Sequence, residues 1–486
     1  MTPRTPLPRS TPEAQNVASA AISEFLRVAD RDLHDLHSLM ILSHGSVIAE
    51  GWWAPFARDL PHKMFSVSKS FTAMGVGFAI DEGALTLDDL VVDLLPNDLP
   101  PVVSANLAAM TVRHLLTMTT GHGEDTMATL TSTEHNWSRA ILSAPVALAP
   151  GSTFVYNSGA TYLLSAILQS LTGERLLDYL TPRLLDPLGI VGAAWEACPR
   201  GIDTGGWGLN ITTEDMALFG QLLLQRGAWN GASIMPSGWV DEATAFQVPN
   251  ELEGEDADHT LGYGYQFWRS QHGAYRADGA FGQMIIVLPE AQSVVVMTSG
   301  LPDTQPARDA VWEHLLPALS GDVPLPADAA APAALRGQLA RLEVRHPAAV
   351  PAPGLADRVA GIRFDFDDND AGLVSVRLER GSLTVATRWE GVVDDHPIAF
   401  GSGTWVAGRA PSVDVMTNGE QTDMAASGAW VAPDTFAVTM QFTREPFAVT
   451  FSLRFSANVV ELTMTQNVSF LETLIARETA RRPANP

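Results

Sequence analysis

The sequence predicts an α+β fold, with a mixed domain of an antiparallel sheet flanked by helices, plus a helical subdomain, followed by an antiparallel β-sandwich or barrel. Three observations carry this. Strand patterns near residues 39–52 and 262–300 bracket a long helical stretch, so one sheet is closed by both ends of the first domain. Residues 71–80, FTAMGVGFAI, are apolar or small on every side, which marks a helix buried all round. After residue 355 the pattern changes to short alternating strands separated by turns. At 486 residues the chain is also too long for one ordinary core.

In chain order, residues 13–28 read as an amphipathic helix. Leu39 to Leu42 and Val47 to Trp52 read as strands joined through Ser43-His44-Gly45-Ser46, a hairpin signal. Residues 66–82 form the buried helix, with Gly83 placed to cap its end. Helical stretches dominate 104–230, punctuated at Pro150-Gly151 and Gly205-Gly206. Tyr263 to Trp268, Gly282 to Val287 and Ser293 to Met297 read as strands. The Pro/Ala-rich segment 317–354, with a short helical run near 332–343, reads as a linker. Beyond it, Gly361 to Phe366, Leu373 to Leu378, Ser382 to Thr387, Phe436 to Phe442 and Phe447 to Phe455 alternate as strands, with turns at Arg380-Gly381 and Pro433-Asp434. The expected divisions are therefore 1–316, the linker 317–354, and a β-rich domain over 355–486.

A net charge of −25 repels phosphate backbones and anionic membranes, so nucleic acid is not an expected partner. No apolar run is long enough to span a bilayer, and the N-terminus has no apolar leader region, which points to a cytoplasmic protein. With a single cysteine, Cys198, there is no intrachain disulfide and no Cys-x-x-Cys metal site. No cofactor and no metal are expected. Of 30 basic residues only Lys63 and Lys69 are lysines. Arg stays protonated under working conditions, whereas a desolvated Lys can lose its proton and act as a base.

Ser66-Val67-Ser68-Lys69 places a hydroxyl and an amine three residues apart, on one helix face. Lys69 then sits at the buried end of a core helix, where an unpaired charge is costly. Ser66, at the helix start, gains the positive end of the macrodipole, which favours a developing oxyanion. Lys63 has Leu60 three residues before it and is no such candidate. Among six tyrosines only Tyr156, in Tyr156-Asn157-Ser158, has Asn or Ser two positions on. A phenolate beside a lysine ammonium can serve as base, and the Ser158 hydroxyl can bond the lysine or a substrate. Arg276-Ala277-Asp278-Gly279-Ala280-Phe281-Gly282-Gln283 reads as a strand whose glycines let a substrate approach the backbone closely.

SxxK, then Tyr-x-Ser about 90 residues on, then a glycine-bearing strand about 120 further, resembles the serine β-lactamase-like superfamily: class C β-lactamases, penicillin-binding proteins, D-stereospecific peptidases and related esterases. Thr111 to Gly121 and Gly205 to Asp215 look like the same family, and the match spans about residues 30–315. The resemblance implies a β-lactamase/transpeptidase-like mixed domain. It implies that an ester or amide acylates Ser66, that Lys69 and Tyr156 handle its proton, and that the N–H groups of Ser66 and Ala280 form the oxyanion hole. Ser158 and Gly279 would meet the substrate; Trp207 and Trp268, in glycine-rich stretches that resemble site-facing loops, either line the acyl pocket or pack in the core. The family carries Lys or His two residues before the glycine, where this chain has Ala277. That cation commonly greets a β-lactam carboxylate. Asp278 repels an anion, and Arg276 on an alternating strand is expected to face away.

His114 and His122 read as structural, Cys198 as a plain thiol, and the acidic run 249–260 as a solvated loop. Two readings of function stand. One is a hydrolase of a small-molecule ester or amide, as esterase, D-amino-acid amidase or peptidase, or weak β-lactamase, with a homo-oligomer open. The other is a catalytically silent scaffold whose C-terminal β-domain binds a ligand or partner.

Overall fold

The computed structural model describes residues 6–130, 134–250, 256–321, 325, 330–351, 353–414 and 419–483. Its first part is built on a six-stranded antiparallel sheet of β1 (Leu36–Ser43), β2 (Ser46–Trp52), β3 (Trp268–Arg269), β4 (Tyr275–Gly279), β5 (Gln283–Leu288) and β6 (Ser293–Ser299), in the order β2-β1-β6-β5-β4-β3. The β1–β2 hairpin turns where the sequence places it: His44 and Gly45 both take positive φ, 48° and 79°, the geometry that matches strand twist.

Both faces of the sheet are buried, and alternation sorts the side chains. Met40, Leu42, Ile285, Val287, Val294 and Val296 face one core. Leu39, Ile41, Met284, Ile286, Val295 and Met297 face the other. The first face is covered by the helical region, including α2 (Val67–Asp81), α3 (Ser158–Thr172) and α4 (Thr213–Leu224). The opposite face is covered by α1 (Ser19–Val28), the helical stretch from Gln305 to Leu319, and the helix Ala330–Leu339. In α2 every residue from Val67 to Ala79 is buried, as an all-apolar helix requires, and Gly83 (φ 72°) follows its end.

The two outermost expectations for the sheet differ in detail. Tyr263 to Trp268 is mostly loop, because Gln266 takes φ 65° and breaks the extended run before the short β3. The stretch 276–283 is a hairpin and not one strand, since Phe281 (φ 64°) reverses the chain between β4 and β5. Within the Pro/Ala-rich segment, Leu335 and Val344 are buried, and Leu339 and Leu342 pack on the same core. Glu343 pairs with Ala54, so this stretch lies along the edge of the first domain.

Residues 363–481 form a ten-stranded, wholly antiparallel sheet that curls into a nearly closed barrel. Its edges are Val392–Ala399 and Val406–Pro411, and its first strand, Arg363–Phe366, pairs with its last, Leu474–Arg481. A separate apolar core fills it, and that core includes Phe65, the residue just before Ser66. No helix among the described residues is long and apolar enough to cross a membrane.

Candidate active site

Three segments converge on Ser66: the start of α2, the start of α3, and the end of β4. Ser66 precedes the first turn of α2 with helical dihedrals, and Lys69 lies one turn on. Lys69 Nζ donates to Ser66 Oγ at 2.9 Å, to Ser158 Oγ at 3.2 Å and to the Gly206 carbonyl at 2.8 Å. Ser158 is brought in because Asn157 caps α3, its Oδ1 accepting from the Ala160 and Thr126 N–H groups. The Tyr156 phenol hydrogen-bonds Ser66, and its ring lies 4.8 Å from Lys69 Nζ and stacks on Trp268 at 5.4 Å. At the third segment the backbones meet. A Cβ on Gly279 would stand 2.3 Å from the Met64 carbonyl oxygen and 3.3 Å from Ser66 N, so only glycine lets β4 lie against the backbone of Ser66.

The electrostatics divide the roles. Burial drives the Lys69 amine down to about 7, with Asp125 pulling the other way. Burial likewise drives the Tyr156 phenol above its usual value, opposed by its bond to Ser66. The first proton to leave this pair is therefore the lysine's, and a neutral amine beside a neutral phenol is favoured over ammonium and phenolate. Of the three Lys69 contacts the Gly206 carbonyl can only accept, so the Ser66 hydroxyl is free to reverse and donate to the neutral amine.

These groups open on a cavity of about 640 Å³. Ser66, Tyr156, Ser158, Trp207, Trp268, Gly279 and Ala280 all line it, so every sequence-derived site residue except Lys69, which lies just beneath, reaches one cavity wall. Ala277, where the resemblance expects a cation, is buried in the apolar core. Asp278 lines the cavity, held well below the usual carboxylate range by the Arg276 charge despite its burial. Arg276 lies on the same side of the strand as Asp278. Residues two apart share a strand face, and its Nε donates to the carboxylate. It is fully buried and does not line the cavity.

The sequence missed several lining residues: Lys63, Phe65, Asp125, His259, Phe281 and Phe470. Lys63, excluded by spacing, is buried and ion-paired to Glu196 at 2.6 Å and to Asp414. Burial opposes its charge, yet the two carboxylates hold the ammonium above its usual value. The acidic run is not wholly a solvated loop. Residues 251–255 lie outside the described residues, but Asp258 is buried, accepting from Trp312 Nε1 and the Gln271 N–H at 2.9 Å each. His114 caps a short helix by accepting from the Thr111 N–H, His122 is bound to Thr120, and Cys198 is buried against Tyr162. None of the three lines the cavity.

The Beta-lactamase family model matches residues 36–319, more than half of the chain, and the protein belongs to that family. It is similar to 6-aminohexanoate-dimer hydrolase of Paenarthrobacter ureafaciens, at 25% identity over 289 residues that cover 55% of this chain and 73% of the relative. It is also similar to Esterase EstB of Burkholderia gladioli, at 28% identity over 28% of this chain and 38% of the relative. Among solved structures, EstCE1, described as a hydrolase with promiscuous acyltransferase activity, shares the fold with a TM-score of 0.50 and 19% identity, over 60% of this chain and 99% of that one. The chain is thus a member of the β-lactamase family with an added C-terminal barrel.

Proposed function

We propose that this protein is a serine hydrolase that forms an acyl-enzyme on Ser66 from a small ester or amide. The observation that carries the reading is the contact of Ser66 Oγ with Lys69 Nζ, at 2.9 Å, on the floor of an open cavity. Neutral Lys69 takes the Ser66 proton as Oγ attacks the carbonyl carbon. The negative charge that develops on the carbonyl oxygen meets the N–H groups of Ser66 and Ala280, a role supported by the close packing of Gly279, the residue before Ala280, on Ser66. The Tyr156 phenol passes a proton to the leaving alkoxide or amine and regains one from the neighbouring Lys69 ammonium, which thereby returns to its neutral form. Water then attacks the ester, with the same groups in reverse, and frees the acid.

The lining supports an uncharged substrate over an anionic β-lactam. Among the described lining residues the only Lys or Arg is Lys63, already shared between Glu196 and Asp414, while Asp125 and Asp278 present carboxylates. Trp207, Trp268 and Phe281 supply apolar walls for an acyl or leaving group.

The test is hydrolysis of p-nitrophenyl acetate, paired with covalent labelling by a fluorophosphonate. The wild-type protein turns over the ester and is labelled once, on Ser66. Ser66→Ala loses at least about a thousandfold in kcat and all labelling. Turnover that survives this substitution refutes the assignment.

A further inference from the structure

We infer that the C-terminal barrel positions the oxyanion hole of the first domain, and that Phe447 is the positioning residue through which it does so. This rests on the reading of Ser66 as nucleophile with the Ser66 and Ala280 N–H groups as donors. Each donor has a phenylalanine neighbour in left-handed backbone: Phe65 (φ 47°) precedes Ser66, and Phe281 (φ 64°) follows Ala280. An aromatic residue rarely holds this conformation and keeps it only where its surroundings enforce it. The peptide between Phe65 and Ser66 carries one donor, so the dihedrals of Phe65 aim it.

What enforces both is a cluster of four rings. Phe65 and Phe281 meet edge to face at 5.6 Å. Phe447, from the barrel, packs on both, at 6.1 Å from Phe65 and 5.8 Å from Phe281. Phe470, also from the barrel, closes the solvent side at 5.8 Å and 4.8 Å. Phe447 is 2% exposed and Phe470 is 60% exposed, so the first is the anchor and the second the cover.

The barrel holds Phe447 against the first domain by polar bonds on both its flanks. Asn467 Oδ1 accepts from the Ala448 N–H at 2.7 Å, and Asn467 Nδ2 donates to the Pro446 carbonyl at 2.9 Å. The same amide donates to Asp35 Oδ2 at 2.6 Å, beside the start of β1. A Cβ on Gly300, after β6, would stand 2.3 Å from the Pro446 carbonyl, so the two backbones touch there. On the approach to the nucleophile, the Lys63 N–H donates to the Arg444 carbonyl at 2.9 Å, and its ammonium pairs with Asp414. Residues 63–66 are therefore seated on the barrel before they enter α2. Oxyanion donors act only within a few tenths of an ångström of their target, so a loosened Phe65 or Phe281 lowers the rate of the chemical step and not the hold on substrate.

The experiment compares Phe447→Leu with Phe455→Leu in the full chain. Phe455 is an equally buried barrel-core residue that packs on Phe364 and Trp430, away from the cluster. The substrate is p-nitrophenyl acetate, the end-point of fluorophosphonate labelling counts folded sites, and Tm reports stability. Phe447→Leu is expected to lower kcat per labelled site by about ten- to a hundredfold, with KM within about threefold. Phe455→Leu is expected to lower Tm and leave kcat within about twofold. Equal kcat for the two variants, or a change in KM alone, overturns the inference. Phe470→Leu, at an exposed position, decides the matter if Phe447→Leu does not fold: a several-fold drop in kcat at constant KM supports it, and an unchanged kcat overturns it. Ser66→Ala runs beside them, so that turnover without Ser66 is recognised as failure of the underlying reading, whereas a Ser66-dependent activity indifferent to Phe447 is failure of this inference alone.

Discussion

Two lysines among 30 basic residues serve opposite ends. Lys69 is buried among hydroxyls and a carbonyl that do not compensate a full charge, so it titrates near 7. Lys63 is buried between carboxylates and stays charged. The consequence for Lys69 is a pH profile. In the proposed mechanism its neutral form is the base, so kcat/KM is expected to rise as pH passes upward through about 7 and to fall away below it as Lys69 gains a proton. Tyr156→Phe is expected to lose about 10²- to 10⁴-fold in rate and yet keep that inflection, because the inflection belongs to the amine. Lys69→Arg is expected to lose activity by a similar factor with no inflection between pH 6 and 9, since a guanidinium does not deprotonate there. Steady-state rates across pH 5–9 check both, and an inflection that disappears in Tyr156→Phe assigns the base to the phenol.

At the scale of elements, the site is a meeting of one helix start, one capped helix and one strand end. Helix α2 supplies two groups from one face, a consequence of its period that was legible in Ser66-Val67-Ser68-Lys69. The strand end was harder to read. That Gly279 matters was visible, but its reason is a close approach to Met64, some 215 residues away in the chain. Gly279→Ala puts a methyl 2.3 Å from a backbone carbonyl that cannot rotate away, so the end of β4 must move off Ser66. The expected result is a loss of about a hundredfold in kcat with the fold retained, measured by ester hydrolysis beside circular dichroism. Strand alternation turned Arg276 away from the substrate space, and the structure adds what holds it there: Asp278, two residues on, shares its face and accepts from its Nε.

For the whole molecule, the barrel is tied to the first domain by charges as well as rings. Lys63 is the central cation, with Glu196 from the first domain, and Asp414 and Glu445 from the barrel, around it. Burial pushes the Glu445 carboxyl up to about 7 and raises Glu196, while Lys63 pulls both back. Lys63→Met leaves buried carboxylates without their cation and is expected to cost about 3–5 kcal/mol of stability in urea unfolding. The sign with pH follows from the raised carboxyls. A group whose folded pKa lies above its unfolded value destabilises the fold as pH rises, so the deficit of Lys63→Met is greater at pH 8 than at pH 5. A deficit independent of pH contradicts this account of the cluster.

Local signals carried a long way in this chain. Apolar period separated the buried α2 from the amphipathic α1, alternating residues and turn pairs marked most strands, and three short motifs in order named Ser66, Lys69 and Tyr156. Lys63, Asp125, His259 and Phe470 were invisible because nothing beside them in the chain marks them: a lysine outside the motif spacing, an aspartate and a histidine in loops, a phenylalanine in a barrel turn. By itself the sequence determined the two fold classes and brought Ser66 and Lys69 onto one helix face, since helix and strand periods act over a few residues. Tertiary structure alone decided that a strand from one end of the domain lies on Ser66, and that the barrel's phenylalanines reach the site, because those contacts join residues hundreds of positions apart and depend on how whole layers pack.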